Sequence, residues 1–520
     1  MANPVRLARG FLTVGAWTLV SRIAGFARDV MMAAYLGAGP AAEAFLVAFS
    51  LPNMFRRFFA EGAFNAAFVP LFAKKLEGGE DARGFARDAF NGLTAVLLLV
   101  TALGTIAMPW LVWAMAAGFA GDERFALAVL YGRIGFVYLL FISLVALLSG
   151  VLNAFGRFTE ASFVPVLMNL MFIAAMLLAD RAGWDMGLTL AWTVPVTGIA
   201  QLALTWWAAA RAGWAPRIAA PRWTPDLRRL LVIAGPAVLA GGVVQINLLV
   251  GRQVASFFEG AVAWLSYADR LYQLPLGVVG IAIGTVLLPD LSRRLRAGDA
   301  EGGRHAFNRA TEISLALTIP AAAALVVIAY PLVLVLFERG AFDRADTVAT
   351  AAALAAYGLG LPAFTLQKVL QPLYYAREDT ARPFRFAVWA MGVNAAVAVG
   401  LAGPIDRLAP GWGFLAAAGA TSVAGWVMVW LLWRGTRTMG DAGRMDGRLR
   451  ARLPRILLAS GLMAAALGAG WWALAEALHK PGLRYGALAG LVLGGLATYA
   501  VAAVVLGALR PAELRAALRR

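Results

Sequence analysis

Cysteine is absent from the 520 residues, and histidine occurs only as His305 and His479. Without thiols the chain has no disulfide and no thiolate nucleophile. It also lacks the HExxH, GxSxG and GxxxxGK[ST] patterns of metalloproteases, serine hydrolases and P-loop proteins. Neither histidine adjoins a group of carboxylates, so we expect no catalytic residue, no metal and no cofactor. An enzyme is a poor fit to this sequence.

Charged residues are also scarce. They make up 14% of the chain, whereas 61% is hydrophobic and the mean hydropathy is +0.73. This composition is typical of a polytopic membrane protein and not of a soluble fold. The formal net charge of +17 would suit nucleic acid, yet most basic residues lie in short segments between hydrophobic runs. That distribution indicates membrane orientation and contact with anionic lipids, and it argues against a nucleic-acid partner.

Fourteen hydrophobic runs are long enough for a membrane helix, which takes about 20 residues. They cover roughly 11–36, 43–72, 89–117, 126–153, 161–179, 187–210, 227–258, 261–292, 306–337, 347–376, 383–403, 411–433, 455–478 and 485–509. With a cytoplasmic N-terminus, the inner segments hold 31 Lys and Arg residues and the outer loops hold 7. The positive-inside rule expects this bias. We therefore predict an all-α membrane protein with fourteen transmembrane helices and both termini cytoplasmic.

An internal repeat relates two groups of spans. Residues 49–75 and 272–294 each contain Leu-Pro, an apolar stretch, a second apolar-Pro and a basic pair. Two later segment pairs continue the similarity, 84–90 with 305–310 and 152–159 with 373–380. Six spans per copy give both copies the same orientation. The repeat thus predicts two parallel six-helix lobes around a central cavity, with alternating access by rocking.

Basic linkers separate the predicted parts. These parts are an N-lobe at 1–210, a linker at 211–226, a C-lobe at 227–434, a second linker at 435–454, and two helices with a cytoplasmic tail at 455–520. The last two helices have no counterpart in the repeat. Their GxxxG spacing at Gly490 and Gly494 permits close helix packing. We interpret them as an appendage to the core.

Charges inside the predicted spans are the main functional signal. A charge at membrane depth normally faces a partner or a water-filled cavity. On the first span, Arg22 and Asp29 are seven residues apart and share a helix face, whereas Arg28 lies about 120° from Arg22. Asp29 is expected to balance one of these arginines and leave the other for an anion.

The second span repeats this mixture of charges. Arg57 and Glu61 are four residues apart and can pair, whereas Arg56 has the polar Asn53 one turn back. Pairing argues against a direct ligand role for Arg57. Structural ion pairs, with further arginines reaching to the surface, are the alternative interpretation of all these charges.

The second lobe contributes Arg270, which adjoins Asp269. A guanidinium group is permanently charged and forks onto phosphate oxygens. We therefore predict that Arg22 or Arg28, with Arg56 and Arg270, binds a diphosphate.

Three motifs carry a family resemblance: SRIAGFARD at 21–29, LPNMFRRFFAEGAFNAAFVP at 51–70 and YADRLYQLPLGVVGIAIGTVLLP at 267–289. They resemble the MviN/MurJ lipid II flippases of the multidrug/oligosaccharidyl-lipid/polysaccharide exporter superfamily. The resemblance covers nearly the whole chain. It implies a location in the bacterial cytoplasmic (inner) membrane. It also implies translocation of an undecaprenyl-diphosphate-linked peptidoglycan precursor from the cytoplasmic to the outer leaflet by alternating access.

The resemblance also implies site residues. The family's cationic cavity residues match Arg22, Arg28, Arg56 and Arg270, and its acidic position after the first loop matches Glu43. Gln273 stands where some relatives have Glu, so a role for that acid does not transfer. The last two helices are expected to form a groove for the polyprenyl tail. Expected partners are the lipid-linked diphosphate, membrane lipids and other cell-wall synthesis proteins.

Other functions remain open at this stage. The same mechanism would suit export of another lipid-linked oligosaccharide or an amphiphilic drug. A drug/cation antiporter should favour acids within its spans, whereas this chain favours arginines. A scaffold or membrane enzyme is the alternative from another class. Membrane potential and a cation gradient are both compatible with the motifs.

Overall fold

The computed structural model describes residues 4–57, 63–214, 216–282, 293–294 and 297–509. Helices make up 84% of the described residues, and no strand occurs among them. The all-α prediction is confirmed. The chain divides into two compact units, Met1–Ala263 and Trp264–Arg520.

The first unit contains ten helices among its described residues. They are α1 (Pro4–Leu36), α2 (Pro40–Arg56), α3 (Ala63–Glu77), α4 (Ala82–Ile106), α5 (Met108–Met115), α6 (Glu123–Gly135), α7 (Tyr138–Ala154), α8 (Phe158–Ala182), α9 (Met186–Arg211) and α10 (Pro225–Ala255). A short 3₁₀ turn, Ala117–Phe119, joins α5 to α6. The helix α10, predicted as the first span of the C-lobe, packs against α3, α4 and α5 within the first unit.

The helix α11 (Ala261–Ala282) begins at the end of the first unit, and the remaining helices belong to the second unit. They are α12 (Ala300–Val327), α13 (Ala329–Phe337), α14 (Arg344–Gly358), α15 (Leu361–Tyr375), α16 (Ala381–Leu408), α17 (Leu415–Gly435), α18 (Gly447–Ala473), α19 (Ala475–His479) and α20 (Arg484–Val505). The linker between α17 and α18 starts with a 3₁₀ segment, Thr436–Gly443. Both predicted C-terminal helices are thus present, as α18 and α20.

Ten helical stretches among the described residues are long and apolar enough to cross a membrane. Each coincides with one of the fourteen predicted spans. Several spans are interrupted where proline starts a new helix, such as Pro109 in the first turn of α5 and Pro362 in that of α15. Proline has no N–H to donate and fits the first turn well. The exact count of fourteen remains a prediction.

In the first unit, α1 packs along α8, and Asn169 fastens the two helices together. Its Nδ2 donates to the carbonyl oxygen of Ser21 at 3.0 Å. Gly25 permits this approach, because a Cβ there would lie 3.3 Å from the same nitrogen. This contact fixes the part of α1 that carries the predicted site arginines.

The last two long helices pack onto α12 in the second unit. Ile456, Met463 and Leu467 of α18 form a buried cluster with Ala316 of α12 and Tyr499 of α20. The hydroxyl of Tyr499 donates to the carbonyl oxygen of Ala316 at 2.5 Å. The appendage is therefore fixed to the core by both apolar and polar contacts.

One predicted repeat pair, 152–159 with 373–380, forms the same helix-ending turn twice. The N–H of Arg157 donates to Leu152 O at 2.9 Å, and that of Asp379 to Tyr374 O at 3.1 Å. The preceding residue is left-handed in both, with φ 74° at Gly156 and φ 60° at Glu378. Of the prolines in the two repeated segments, Pro52, Pro70 and Pro275 lie inside α2, α3 and α11, and Pro289 is outside the described residues.

Candidate functional site

Arg28 and Asp29 form a buried ion pair on α1. Asp29 Oδ1 accepts hydrogen bonds from Arg28 Nε at 3.0 Å and Nη2 at 2.7 Å. Arg28 is 9% exposed and Asp29 is 3% exposed. The guanidinium carbon lies 5.6 Å from the ring centroid of Phe172 on α8, within cation–π range. Of the two arginines open to Asp29 in the sequence, the structure pairs Arg28.

Arg22 lies on the same helix and is exposed. Among the described residues, no ion pair or hydrogen bond joins its side chain to another group. It follows Ser21, whose carbonyl holds Asn169, so the backbone beneath it is fixed. Arg22 therefore carries its charge on a part of α1 whose backbone is held in place by Asn169.

The basic residues of α2 lie at its C-terminal end. Arg56 is half-buried, Arg57 is exposed, and Asn53 Nδ2 donates to the carbonyl oxygen of Phe49 at 2.8 Å. Asn53 thus makes a bond to its own helix. Glu61 lies outside the described residues, so its predicted pair with Arg57 stays a prediction.

Glu43 occupies the first turn of α2 and is completely buried. Its Oε2 accepts from Arg124 Nη1 at 2.9 Å, and its Oε1 accepts from the backbone N–H of Val262 at 2.9 Å. Such a charge needs this full set of partners, because an unpaired buried carboxylate is very costly. Glu43 thereby ties α2 to α6 and to the first turn of α11.

Arg124 was placed in an outer loop by the sequence, which gave no reason to connect it with Glu43. In the structure it also pairs with Asp122, Nη2 to Oδ2 at 2.6 Å, and Asp122 accepts the Arg124 backbone N–H at 2.8 Å as the cap of α6. Burial alone would raise the pKa of Asp122, but the hydrogen bonds from Arg124 hold that pKa below its usual value. The only local sign of an ion pair in the sequence was Asp122, two residues before Arg124.

The turn after α10 docks on the α5–α6 connection. Gln253 Oε1 accepts from Ala117 N at 3.0 Å, and Ser256 Oγ accepts from Gly118 N at 3.0 Å. A Cβ at Gly118 would lie 2.4 Å from the backbone of Ser256 and Phe257. Glycine is therefore required at this close approach of two backbones, a feature that the sequence did not reveal.

Asp269 and Arg270 lie on α11 in the second unit. Asp269 is half-buried and accepts a short hydrogen bond from Gln273 one turn on, whereas Arg270 is exposed. Trp264 anchors this helix, because its Nε1 donates to Asp346 Oδ1 of α14 at 2.7 Å. Arg270 is thus presented from a helix with a fixed first turn. Its predicted convergence with the arginines of the first unit remains a prediction.

A third buried carboxylate, Glu312 of α12, lies at the second basic linker. It accepts from Arg448 Nη2 at 3.3 Å and makes shorter hydrogen bonds with Arg309 and Arg452. Arg309 also pairs with Asp446 at 2.8 Å. The sequence counted these arginines among the loop cations that orient the chain. The structure gives them a further task, since they fix the start of α18 on α12.

Two cavities in the second unit are lined by aromatic and basic side chains. One, of about 320 Å³, is bounded by Arg382, Arg385, Phe386, Trp389, Gly435 and Thr438. The other, of about 160 Å³, is bounded by Trp430, Trp433, Arg434 and Arg437. Neither cavity includes a predicted site residue. Among the described residues, no group of three or more His, Asp or Glu side chains is arranged to hold a metal.

Comparison with known proteins places this arrangement in context. The family model of the lipid II flippase MurJ matches residues 32–493. A probable lipid II flippase MurJ of Rhizobium meliloti is 45% identical over 524 residues, covering 99% of this chain and 96% of the relative. A solved lipid II flippase MurJ in an inward closed conformation aligns with a TM-score of 0.76 at 25% identity, covering 95% of this chain and 98% of that chain.

An inward-facing multidrug transporter of the MATE family in the MOP superfamily aligns with a TM-score of 0.67 at 15% identity, covering 81% of this chain and 95% of that one. This likeness shows a shared fold. The helices and their order thus define a polytopic α-helical membrane protein that shares the fold of this transporter. Within that class, the chain belongs to the lipid II flippase MurJ family.

Proposed function

We propose that the chain translocates lipid II, the undecaprenyl-diphosphate-linked peptidoglycan precursor, from the inner to the outer leaflet of the bacterial cytoplasmic membrane. The observation that carries this proposal is the near full-length match to one family, residues 32–493 in the family model and 99% of the chain in a relative at 45% identity. Alternating access supplies the movement, and no covalent step or cofactor is needed. Both termini face the cytoplasm.

The proposed diphosphate ligands are Arg22, Arg28, Arg56 and Arg270. Each guanidinium presents several donors, and charge-assisted bonds to phosphate are about twice as strong as neutral ones. Arg22 is the most accessible of the ligands on α1. Arg28 is oriented by Asp29 and Phe172, so it offers its remaining donors in a fixed direction.

The supporting residues act through these arginines. Asp29 orients Arg28, and Glu43 fixes α2 against Arg124 and the turn at Val262. Asn53, Arg57, Glu61 and Asp269 complete the proposed polar surroundings. The long apolar surfaces of α18 and α20, which include exposed Leu457, Leu493 and Val501, suit the polyprenyl tail.

The test is translocation of lipid II in cells depleted of their own flippase and supplied with variants of this chain. Arg22→Gln removes a cation with no described partner, so folding should be preserved. Losing one charge-assisted bond of about 1.5–3 kcal/mol should reduce substrate binding roughly ten- to a hundredfold. Arg181→Gln, at the exposed end of α8, is the matched control and should behave as the parent chain.

Arg28→Lys separates charge from geometry, because lysine keeps the charge but cannot fork onto phosphate and Asp29 together. We expect reduced translocation at normal protein levels. Full translocation by both Arg22→Gln and Arg28→Ala would overturn the arginine site. Failure of the parent chain to move lipid II, while it moved another lipid-linked oligosaccharide, would overturn the substrate.

A further inference from the structure

One eight-residue pattern occurs twice, as RDAFNGLT at 87–94 on α4 and RHAFNRAT at 304–311 on α12. Both helices begin with a capping aspartate, since Asp81 accepts from Gly84 N at 2.7 Å and Asp299 from Gly302 N at 2.8 Å. In both, the threonine bonds within its own helix, Thr94 to Phe90 O and Thr311 to Phe307 O. The pattern therefore folds in the same way in each unit.

The side chain of Asn91, the asparagine of the first copy, binds the backbone of the linker between α9 and α10. Asn91 Nδ2 donates to Arg217 O at 3.0 Å, and Asn91 Oδ1 accepts from Ala219 N at 3.0 Å. The same Nδ2 also donates to Arg87 O at 2.9 Å. Asn91 is only 5% exposed, and its donors and acceptor are all engaged. We call this arrangement the first clip.

The asparagine of the second copy binds the linker between α17 and α18 in the same way. Asn308 Nδ2 donates to Arg444 O at 3.0 Å and to Arg304 O at 2.9 Å, and its Oδ1 accepts from Asp446 N at 2.9 Å. Asn308 is fully buried. We call this arrangement the second clip. Each clip binds the carbonyl of one linker residue and the N–H of the residue two positions on.

An aromatic contact accompanies each clip. The phenylalanine before each asparagine packs edge-on against a tryptophan near the end of the helix that leads into the linker. The ring centroids of Phe90 and Trp206 are 5.4 Å apart, and those of Phe307 and Trp433 are 6.3 Å apart. Trp206 lies eleven residues before Arg217, whose carbonyl binds Asn91. Trp433 likewise lies eleven residues before Arg444, whose carbonyl binds Asn308. The register of the linker is therefore equal in the two units.

A side-chain amide is well suited to this task. It offers a donor and an acceptor in the geometry of a peptide group, and so satisfies backbone groups that a linker without secondary structure would leave open. The clips also bind no linker side chain, so linker sequence is free to differ. What they fix is the path of the chain between the two helices that each linker joins.

The clips control where the next helix starts. Thr224, the N-cap of α10, follows Ala219 by five residues. Leu227 of α10 packs so closely on Gly92, the residue after Asn91, that it would clash with a Cβ placed there. Asp446 is both the clipped residue and the cap of α18, where it accepts from Leu449 N at 2.7 Å. Each clip therefore holds the beginning of the following helix on the third predicted span of its lobe.

We propose that Asn91 and Asn308 are positioning residues for transport, which keep each linker closed on its own unit through the whole cycle. The start of α10 then moves with the first unit and the start of α18 with the second. The reference to a cycle rests on the proposed function, whereas closure of the clips can be measured without transport.

The first experiment reads closure directly in the full chain. Because the chain has no cysteine, Ile218→Cys and Met445→Cys each give one site for a nitroxide label between the two clipped linker groups. Asn91→Ala should raise the mobile fraction at position 218 but not at 445, and Asn308→Ala should do the reverse. Loss of two bonds per clip predicts a roughly ten- to hundredfold larger open fraction. Thr94→Ala and Thr311→Ala, which break a bond within the same helices, are the controls.

A second pair of variants tests the first clip from the linker side and leaves α4 untouched. Ala219→Pro removes the N–H that Asn91 accepts, whereas Ala220→Pro places the same ring one residue on. Only Ala219→Pro should mobilise the label at position 218. This pair remains informative if Asn91→Ala does not fold.

The third experiment replaces the clip by a covalent bond. The double variant Asn91→Cys/Ala219→Cys, when reduced, should translocate lipid II as poorly as Asn91→Ala, and oxidation to the disulfide should restore translocation. A disulfide that stopped transport, reversibly on reduction, would show that the clip must open and would overturn the proposal. Unchanged label mobility in Asn91→Ala and Ala219→Pro would overturn it as well. A parent chain that fails to move lipid II would contradict the proposed function, and the label measurements would still decide the clip.

Discussion

The two arginines of the first motif differ in what surrounds them. Arg28 is buried with Asp29, and Arg22 is exposed with no described partner. The sequence predicted that Asp29 would balance one of the two, and the structure identifies which. Helical spacing alone could not decide this, because it placed Asp29 on the face of Arg22. The side chain of Arg28 folds back to its neighbour, a rotamer choice that packing against Phe172 favours.

Glu43 and Arg124 should depend strongly on each other. Arg124→Ala leaves a fully buried carboxylate without its cation, which we expect to cost about 3–5 kcal/mol of unfolding free energy. The double variant Glu43→Gln/Arg124→Ala should recover part of that loss. Thermal unfolding of the purified protein measures the difference. Equal stability of the single and double variants would show that the pair does not act as a unit.

Glu378 is a left-handed residue at a position where the first unit has Gly156. A side chain in that region costs energy that glycine avoids. Glu378→Gly should therefore stabilise the chain by about 0.5–1 kcal/mol, seen as a higher unfolding temperature. Gly156→Ala should act in the opposite direction. A lower unfolding temperature for Glu378→Gly would mean that the Glu378 side chain contributes more than its backbone costs.

At the scale of helices, the sequence predicted the positions of the helices better than the side-chain contacts that hold them to the linkers. The apolar runs gave the position of the long helices, and the repeat gave the equivalence of α4 with α12. The roles of Asn91, Asn308 and Glu312 could not be read in advance, because their partners lie 126 to 140 residues away along the chain. Only the fold brings such groups together.

The junction of α12 with α18 should be sensitive to acid. Burial alone would raise the pKa of Asp446, but the backbone N–H of Leu449 and the side chain of Arg309 lower that pKa below its usual value. The resulting stability is present above the ordinary pKa of about 3.9 and is lost as pH falls through the lower folded-state value. Asp446→Asn should reduce unfolding free energy by about 1 kcal/mol at pH 7.

The same comparison over pH supplies the control. The difference between the parent chain and Asp446→Asn should shrink as the pH falls below about 3.9 and through the lower folded-state pKa of Asp446, because both side chains are then uncharged. Unfolding followed by fluorescence in detergent at each pH measures it. A difference that stays constant over this range would exclude the carboxylate charge as its source.

For the whole molecule, the sequence established the membrane class and the family, whereas fourteen spans and cytoplasmic termini remain predictions. Ile218→Cys lies in the first linker and is predicted to be cytoplasmic, while Leu483→Cys lies in the last predicted outer loop. Both native side chains are exposed. A membrane-impermeant maleimide should label Leu483→Cys in intact spheroplasts and Ile218→Cys only after permeabilisation. The reverse pattern would invert the chain, and equal labelling would contradict the count between the two sites.

The second clip also bears on the origin of the last two long helices. In each unit a clipped linker is followed by a long helix, α10 in one case and α18 in the other. The appended pair thus enters the molecule where a third copy of the repeat would begin. Two successive duplications of an ancestral six-span gene with its tail, followed by truncation of the third copy after two spans, would produce this order. On this view, α18 and α20 are the remnant of a third repeat, which now packs against α12.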